Sequence, residues 1–251
     1  DISMRFCLLP LLHTPKNPDQ SFRRMETRLA EIVPGEKPDL ILLPEQTLTG
    51  YLYEPADLEK FGEPIPGPTS DRMAHLARQH RVYLGWGMVE KDTAGRHYNT
   101  ALLCDRRGEI LLHYRRLSEK SPFTNGTEVP WVDTELGRLS FLICGDLFHE
   151  EVTAKVDRAT DWLLYPTSGS LDGEFTKFAS NLDEARQWYL DAVKGLGIPT
   201  AMVTTLEPME NAADPPFFCG ANVIAADGQL VAEVHGNTDR PLLYPLSETG
   251  S

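Results

Sequence analysis

Residues 39–45 read Asp-Leu-Ile-Leu-Leu-Pro-Glu, four consecutive aliphatic side chains closed by a proline and a glutamate. A short apolar run of this kind predicts a β-strand that is buried on both faces. Before it, residues 18–33 carry apolar side chains at steps of three and four, which predicts an amphipathic helix: Phe22, Met25, Leu29 and Ile32. After it, Thr69 or Ser70 can cap a second helix. A buried strand between two helices indicates an α/β fold.

The rest of the chain alternates in a similar way. Further strands are predicted for residues 5–12, 82–90, 99–105, 109–115, 139–144, 162–165, 200–205, 219–226 and 229–234. Residues 148–158 form a polar, helix-like stretch, and residues 174–196 predict a long helix that stops at Gly197. Tight turns at Arg106-Arg107-Gly108 and Asp227-Gly228 predict two hairpins. Since helices and strands alternate at both ends and hairpins occupy the middle, we expect mixed sheets with helices outside, formed by one domain over residues 4–246.

The composition excludes several classes of protein. The 251 residues include 24 Lys and Arg against 37 Asp and Glu, a formal net charge of −13, and 41% are hydrophobic. This is an ordinary globular composition. Phosphate backbones and anionic lipid surfaces are bound mainly through clustered Lys and Arg, and the chain has no such block. We therefore expect a protein that binds neither nucleic acid nor a membrane.

The cysteines and the N-terminal stretch indicate a cellular compartment. Cys7, Cys104, Cys144 and Cys219 lie far apart, without a Cys-x-x-Cys pair or a histidine at metal-ligand spacing, so we expect neither a zinc site nor a disulfide framework. Thiols of this kind fit a reducing cytoplasm. The apolar residues 6–12 are interrupted by proline and too short to span a bilayer, and no signal-peptide pattern accompanies them. The expectation is a cytoplasmic protein without metal or cofactor.

Three predicted strands end at residues that can carry chemistry. The first delivers Glu45, the second delivers Arg115 and Arg116 with Lys120 close behind, and the third delivers Cys144. Ligands bind beyond strand ends in such sheets, so a carboxylate, a cation and a thiol could meet in one crevice. Taken singly, each residue has an ordinary alternative: an inert core thiol, a turn cap or a solvated surface charge.

Five strings, in this order, resemble the successive signatures of the carbon–nitrogen hydrolase (nitrilase) superfamily. They are LILLPEQTLTGY at 40–51, YNTALLCDRRGEILLHYRR at 98–116, RLSFLICGDLFHEE at 138–151, LLYPTS at 163–168 and FFCGANVIAADGQLVAE at 217–233. The resemblance implies a four-layer αββα sandwich, usually paired into a homodimer, and a Glu–Lys–Cys catalytic triad. It also implies a small-molecule, amide-like substrate.

Residue by residue, the resemblance assigns Glu45 as general base and Cys144 as nucleophile, and Glu119 is similar to a second glutamate of many members. The family's lysine is replaced: its Tyr-Arg-Lys string reads Tyr114-Arg115-Arg116 here. Three alternatives stay open, namely that Arg116 is the cation, that Lys120 reaches the vacated place, or that the site has lost its chemistry. A guanidinium is a planar fork whereas an ammonium is a point charge, so the replacement matters physically.

The expected chemistry follows from these residues. Glu45 would take the proton of Cys144, and the backbone N–H of Gly145 together with the cation would stabilise the charge that develops on the attacked group. Many members carry a bulky aromatic residue where this chain has Gly145. The leading hypothesis is a cysteine hydrolase that cleaves a non-peptide C–N bond of an amide, carbamoyl compound or nitrile through a thioester. The alternatives are a binding or scaffold protein with a degenerate triad, and an acyl transferase.

Other candidate sites carry less weight at this point. Ser168 lacks the Gly-x-Ser-x-Gly elbow of serine hydrolases, so it is not expected to be a nucleophile. Asp146, His149 and Glu150 are more typical of a solvated helix start than of a metal cluster. Specificity is expected from the loops 52–68, 122–133 and 168–178, of which the last has an acidic stretch around Asp172 and Glu174.

Overall fold

The structure is a computed structural model that describes residues 4–169, 181–206, 218–236 and 238–246. Its helices are α1 (Pro18–Glu36), α2 (Pro55–Phe61), α3 (Pro68–His80), α4 (Glu150–Thr153) and α5 (Leu182–Leu196), with a 3₁₀ helix at Cys144–Phe148. Its strands are β1 (Arg5–Leu8), β2 (Leu40–Leu42), β3 (Tyr83–Lys91), β4 (His97–Cys104), β5 (Ile110–Arg115), β6 (Trp131–Thr134), β7 (Gly137–Phe141), β8 (Trp162–Gly169), β9 (Thr200–Leu206), β10 (Gly220–Ile224), β11 (Leu230–His235) and β12 (Leu242–Pro245).

The strands form two six-stranded mixed sheets. The first has the order β12-β1-β2-β3-β4-β5, with β1, β2 and β3 parallel and the other pairs antiparallel. The second has the order β11-β10-β9-β8-β7-β6, with β7, β8 and β9 parallel. Each sheet therefore has a parallel centre, whose strands end at a common edge where a ligand site can form.

Strand alternation separates two cores. In β1, Phe6 and Leu8 pack into a core shared with the second sheet, whereas Cys7 belongs to a core shared with α1 and α3. The Phe6 ring contacts the Trp162 ring of β8 edge to face, with centroids 5.2 Å apart. Because successive side chains of a strand point to opposite faces, one strand serves both layers.

The second sheet is covered in the same way. The buried face of α5 packs into the core of the second sheet through Ala185, Tyr189, Val193 and Leu196. The layers therefore run helix, sheet, sheet, helix, which confirms the four-layer αββα sandwich.

Several element bounds differ from those predicted. The loop that follows Glu45 contains α2, and the predicted loop 122–133 ends in β6. Of the polar stretch 148–158, the four-residue α4 is helical. Helix α5 begins at Leu182, and the predicted residues 174–180 lie outside the described residues, as does most of the loop 168–178. Strand β12, which pairs with β1, was not predicted, because its partner is more than two hundred residues away.

Over the four described ranges, no helix combines the length and the apolar character that crossing a membrane requires.

Candidate active site

Glu45 lies where the two sheets meet. It follows β2 after Leu43 and Pro44, and only 2% of it is exposed. Its backbone N–H donates to the carbonyl of Thr167 in β8, at 3.3 Å, which links the ends of strands from different sheets. Gly87 of β3 lies against this turn, since a Cβ there would be 2.5 Å from the backbone nitrogen of Gln46. The close approach of the two backbones holds the glutamate in place.

The carboxylate of Glu45 accepts hydrogen bonds from both sheets. Ser168 Oγ, in β8, donates to Oε2 at 2.7 Å, and Asn99 Nδ2, in β4, donates to Oε1 at 2.6 Å. Arg116 Nη1 lies 3.4 Å from the same Oε1. A buried carboxylate with such partners is held in one orientation.

Alternation along β5 directs Arg116 to this carboxylate. Leu112 and Tyr114 face the core between the sheets, and Arg116, two residues on, continues that face and is 9% exposed. The intervening Arg115 points to the opposite side, where it pairs with Glu90. The backbone N–H of Arg116 donates to the carbonyl of Asn99 at 2.8 Å and keeps the residue beside β4.

Glu119 and Lys120 take different places. Arg116 Nη1 donates to Oε2 of Glu119 at 2.7 Å, and Asn99 Nδ2 donates to the same oxygen at 3.0 Å. Tyr51 Oη donates to the other oxygen of Glu119 at 2.9 Å. Glu119 therefore belongs to the cluster that Glu45, Asn99 and Arg116 form, whereas Lys120 is exposed to solvent. Of the two predicted cations, Arg116 is the one in contact with Glu45.

Cys144 sits at the turn between β7 and the 3₁₀ helix. Its φ is 45°, a left-handed backbone conformation that is uncommon for a residue with a side chain. Such strain costs about 1–3 kcal/mol and persists only where the surroundings enforce it. Tyr165 Oη donates to the Cys144 carbonyl and fixes the turn. The sulfur lies 3.9 Å from the carbonyl oxygen of Ser168, whose hydroxyl bonds Glu45, so the thiol and the carboxylate meet around Ser168.

Asp146 connects the turn that carries Cys144 to the segment that carries Arg116. It is fully buried and accepts hydrogen bonds from the backbone N–H of Ile143 at 3.1 Å and from Oγ of Ser118 at 2.7 Å. Tyr114 Oη donates to it as well. The interpretation of Asp146 as part of a solvated helix start was wrong for this residue, although its neighbours His149 and Glu150 are exposed.

Burial and charge set the protonation states of the site. Burial raises the pKa of the Cys144 thiol to about 12, and the negative charge of Glu45 raises it as well. The Arg116 guanidinium acts in the opposite direction and lowers this pKa. Burial also raises the pKa of Glu45. Burial alone would lower the pKa of Arg116, but Cys144 and the carboxylates raise it, so the guanidinium stays charged.

Sequence reasoning missed three contributors to this cluster: Tyr51, Asn99 and the hydroxyl of Ser168. Asn99 had a usable signal, because it shares one strand face with the core residues Ala101 and Leu103 and is the polar member of that face. The sequence around Ser168 lacks the motif of a serine nucleophile and carries no signal for another role. In the structure its hydroxyl is a hydrogen-bond donor to the carboxylate of Glu45.

In the part of the chain that the structure describes, no group of three or more His, Cys, Asp or Glu side chains is placed so that it could hold a metal ion. The same part includes all four cysteines and contains no disulfide.

Several curated proteins are similar in sequence to part of this chain. A hydrolase encoded in the pqqF 5′ region of Pseudomonas protegens is 29% identical over 144 residues, which are 55% of this chain and 50% of that protein. A formamidase from Bacillus cereus is 31% identical over 125 residues, 45% of this chain and 36% of the formamidase. The matched segments thus span half or less of these curated relatives.

Solved structures support the fold. The NitN amidase from Nesterenkonia sp. superposes with a TM-score of 0.79 at 22% identity, covering 98% of this chain and 93% of that one. A mutant of the same amidase, described as showing Michael addition of acrylamide at its active-site cysteine, superposes with a TM-score of 0.78 at 21% identity over 97% of this chain and 93% of that one.

Family membership rests on a match to nearly the whole chain. The carbon-nitrogen hydrolase family model matches residues 12–239, a range that includes Glu45, Arg116, Glu119 and Cys144. This protein therefore belongs to the carbon-nitrogen hydrolase family.

Proposed function

We propose that this protein is a cysteine hydrolase that cleaves the C–N bond of a small amide through a thioester on Cys144. Two observations carry the proposal: Arg116 Nη1 lies 3.4 Å from Glu45, and Ser168 donates its hydroxyl to Glu45 while its carbonyl oxygen lies 3.9 Å from the sulfur of Cys144. A base, a fixed cation and a thiol at a strained turn are the parts that nucleophilic acyl transfer needs.

Proton transfer and attack occur together in this proposal. Because the thiol has a pKa of about 12, the free enzyme holds it protonated at neutral pH. Glu45 accepts the thiol proton as the sulfur attacks the amide carbon, and a carboxylate whose pKa is raised is a stronger base for that task. The Ser168 and Asn99 hydrogen bonds keep the carboxylate oriented.

The tetrahedral intermediate carries a negative oxygen. The backbone N–H of Gly145 and the Arg116 guanidinium are its proposed donors, because Gly145 directly follows the nucleophile and Arg116 lies against Gly145. Losing one donor of this kind typically costs about 3 kcal/mol in transition-state stabilisation.

The intermediate then collapses and the enzyme is regenerated. The C–N bond breaks as Glu45 returns its proton to the leaving nitrogen, which departs as ammonia or an amine. Glu45 next deprotonates a water molecule that attacks the thioester, and the C–S bond breaks to release a carboxylic acid. The sulfur takes its proton back from Glu45, so no oxidant or cofactor enters the balance.

The relatives favour an amide over a nitrile. Their names are formamidase and amidase, and one mutant of the amidase carries acrylamide at its active-site cysteine. The site contributes Glu45, Glu119 and Asp146 against one guanidinium, an excess of acidic groups that disfavours a negatively charged substrate. We propose a small uncharged amide.

The test is product formation by the purified protein. Incubation with a panel of formamide, acetamide, acrylamide and carbamoyl compounds should release ammonia and the matching acid, and Cys144→Ala should abolish both. Cys104→Ala is the matched control, because Cys104 is a buried thiol of β4 outside the site, and it should keep the activity. No product from any panel member would overturn the proposal.

A degenerate site is the second candidate, and the arginine in the place of the family's lysine favours it. The reactivity of the thiol separates the two. Iodoacetamide should label Cys144 faster in the wild type than in Glu45→Gln if the site is active, whereas the fully buried Cys7 and Cys104 should react slowly in both proteins. Equal rates at Cys144 in the two proteins would support a binding protein. An acyl transferase is separated by the products formed without an added acceptor, because it would release little acid until an acceptor such as hydroxylamine is supplied.

We also propose that residues 4–246 form one domain, that two copies pair as a homodimer and that the protein works in the cytoplasm. The backbone N–H of Leu246 donates to the carbonyl of Met4 at 2.7 Å, which supports a domain that includes both of these ends. Light scattering on the purified chain tests the dimer, and a monomer at micromolar concentration would contradict it.

A further inference from the structure

The α-carbon of Gly145 lies against the guanidinium of Arg116. A Cβ built on Gly145 would be 2.5 Å from Arg116 Nη2 and 3.7 Å from its Cζ. Non-bonded carbon and nitrogen atoms pack at roughly 3.5–4 Å, so residue 145 and the guanidinium cannot both keep their places if residue 145 has a side chain.

Space, and not backbone conformation, is what requires glycine at this position. Gly145 does not have a positive φ, in contrast to the preceding Cys144. An alanine could therefore adopt the backbone angles of residue 145, and the conflict it creates is with the side chain of Arg116 alone among its close neighbours.

Arg116 cannot withdraw without losing its partners. Its Nη1 is held by Glu119 at 2.7 Å and approaches Glu45 at 3.4 Å, while its Nε lies 3.4 Å from Ser118 Oγ. Any movement of Nη2 away from residue 145 turns the whole planar group, because the guanidinium nitrogens are rigidly connected. The displacement would therefore disturb the contact with the proposed base.

Nη2 is the guanidinium nitrogen nearest to the nucleophile turn. It makes no hydrogen bond to any residue in the described ranges, whereas Nη1 and Nε each have partners. A charged donor of this kind, beside the residue that follows Cys144, is available to a substrate oxygen.

We propose that Gly145 is a positioning residue that allows an arginine to serve as the cation of this site, so that Arg116 and Gly145 act as one unit. This inference rests on the proposed function. A side chain at residue 145 should lower the activity only because it displaces Arg116. A lysine in place of Arg116 would present a single compact ammonium and would leave room for a methyl group at residue 145.

A double-mutant cycle tests this unit, with kcat and KM measured for Gly145→Ala, Arg116→Lys and the double variant. We expect Gly145→Ala to lower kcat by about 10- to 100-fold in the wild-type background, since small misplacements of a catalytic group have effects of that size. In the Arg116→Lys background the same change should alter kcat by less than about threefold. An equal loss in both backgrounds would overturn the proposal.

Two further measurements keep the test decisive. Gly195→Ala is the matched control, because Gly195 lies in α5 with open space where its Cβ would be, and it should leave kcat unchanged. If the wild type hydrolyses no amide, the proposed function fails, but the pairing is still measured by the rate of iodoacetamide labelling at Cys144 at a fixed, mildly alkaline pH. Gly145→Ala should then slow the labelling only when residue 116 is arginine, and an equal slowing with lysine there would refute the pairing.

Discussion

The hydroxyl of Ser168 donates a 2.7 Å hydrogen bond to Oε2 of Glu45 across the junction of the two sheets. Ser168 belongs to β8 of the second sheet, and Glu45 follows β2 of the first. A donor to the charged form of a carboxylate stabilises that form, so Ser168 lowers the pKa of Glu45 against the rise that burial causes.

We therefore expect Ser168→Ala to raise the pKa of Glu45 further. In the proposed mechanism Glu45 must be ionised to accept the thiol proton, so the acid limb of the kcat/KM profile should move to higher pH by on the order of one unit. Ser140→Ala is the matched control, because its hydroxyl is buried in β7 and bonds the carbonyl of Pro130. An unchanged acid limb in Ser168→Ala would contradict the role given to Ser168.

Asn99 connects the two glutamates of the site. Its Nδ2 donates to Glu45 at 2.6 Å and to Glu119 at 3.0 Å. We expect Asn99→Ala to lower kcat about tenfold and Asn99→Asp to lower it more, since an aspartate would place a third carboxylate against two others. The pH profile of kcat/KM distinguishes this positioning role from lost stability, because the acid limb should move to higher pH in both variants. Thr100→Ala, on the opposite face of β4, should leave kcat and the limb unchanged.

Arg116 balances the charge of the buried glutamates. Arg116→Met removes this balance, and a buried carboxylate left without its cation costs about 3–5 kcal/mol in folding free energy. We expect Arg116→Met to lose both stability and activity, and Arg116→Lys to stay folded and keep a measurable part of kcat because the positive charge remains. Denaturant unfolding and kcat measured on both variants check this. Full activity in Arg116→Met would exclude Arg116 as the cation of the site.

Glu90, which lies away from the candidate active site, makes the stability of the folded protein depend on pH. Burial acts to raise its pKa, but hydrogen bonds from His113 and Arg115 outweigh burial and hold the pKa at about 2. Since the folded-state pKa is below the unfolded value of about 4.5, the stabilisation is present above pH 4.5 and is lost as pH falls towards 2.

We expect Glu90→Gln to lower the free energy of unfolding by about 1–2 kcal/mol at pH 7, after allowance for solvent screening. The difference from the wild type should shrink when unfolding is measured at pH 3. Activity at pH 7 should persist, because Glu90 lies on the face of the first sheet opposite to Arg116. A difference that stays constant between pH 7 and pH 3 would show that the carboxylate charge is not the cause.

The chain order of the motifs and the local periodicities were sufficient for the family and the fold class. The apolar run that predicts β2 also predicts that Glu45 follows a buried strand, and the apolar run before Cys144 does the same for the thiol. These features are local. Burial on both faces of a strand gives a continuous apolar run, burial on one face gives an alternating pattern, and neighbouring residues display either one. Strand β12 had no such local signal, since it is specified by pairing with β1 at the other end of the chain.

The choice between Arg116 and Lys120 depended on the tertiary structure. Both are cations near the end of β5, and the sequence alone left open which of them reaches Glu45. The sheet register continues the inward face of Leu112 and Tyr114 to Arg116, and the following turn leaves Lys120 in solvent. The sequence therefore indicated a carboxylate, a cation and a thiol for the candidate site. Only the packing of two sheets decided that Arg116 would lie against Gly145 and that Ser168 would bond Glu45, because contacts between segments far apart in the chain leave no repeat in the sequence.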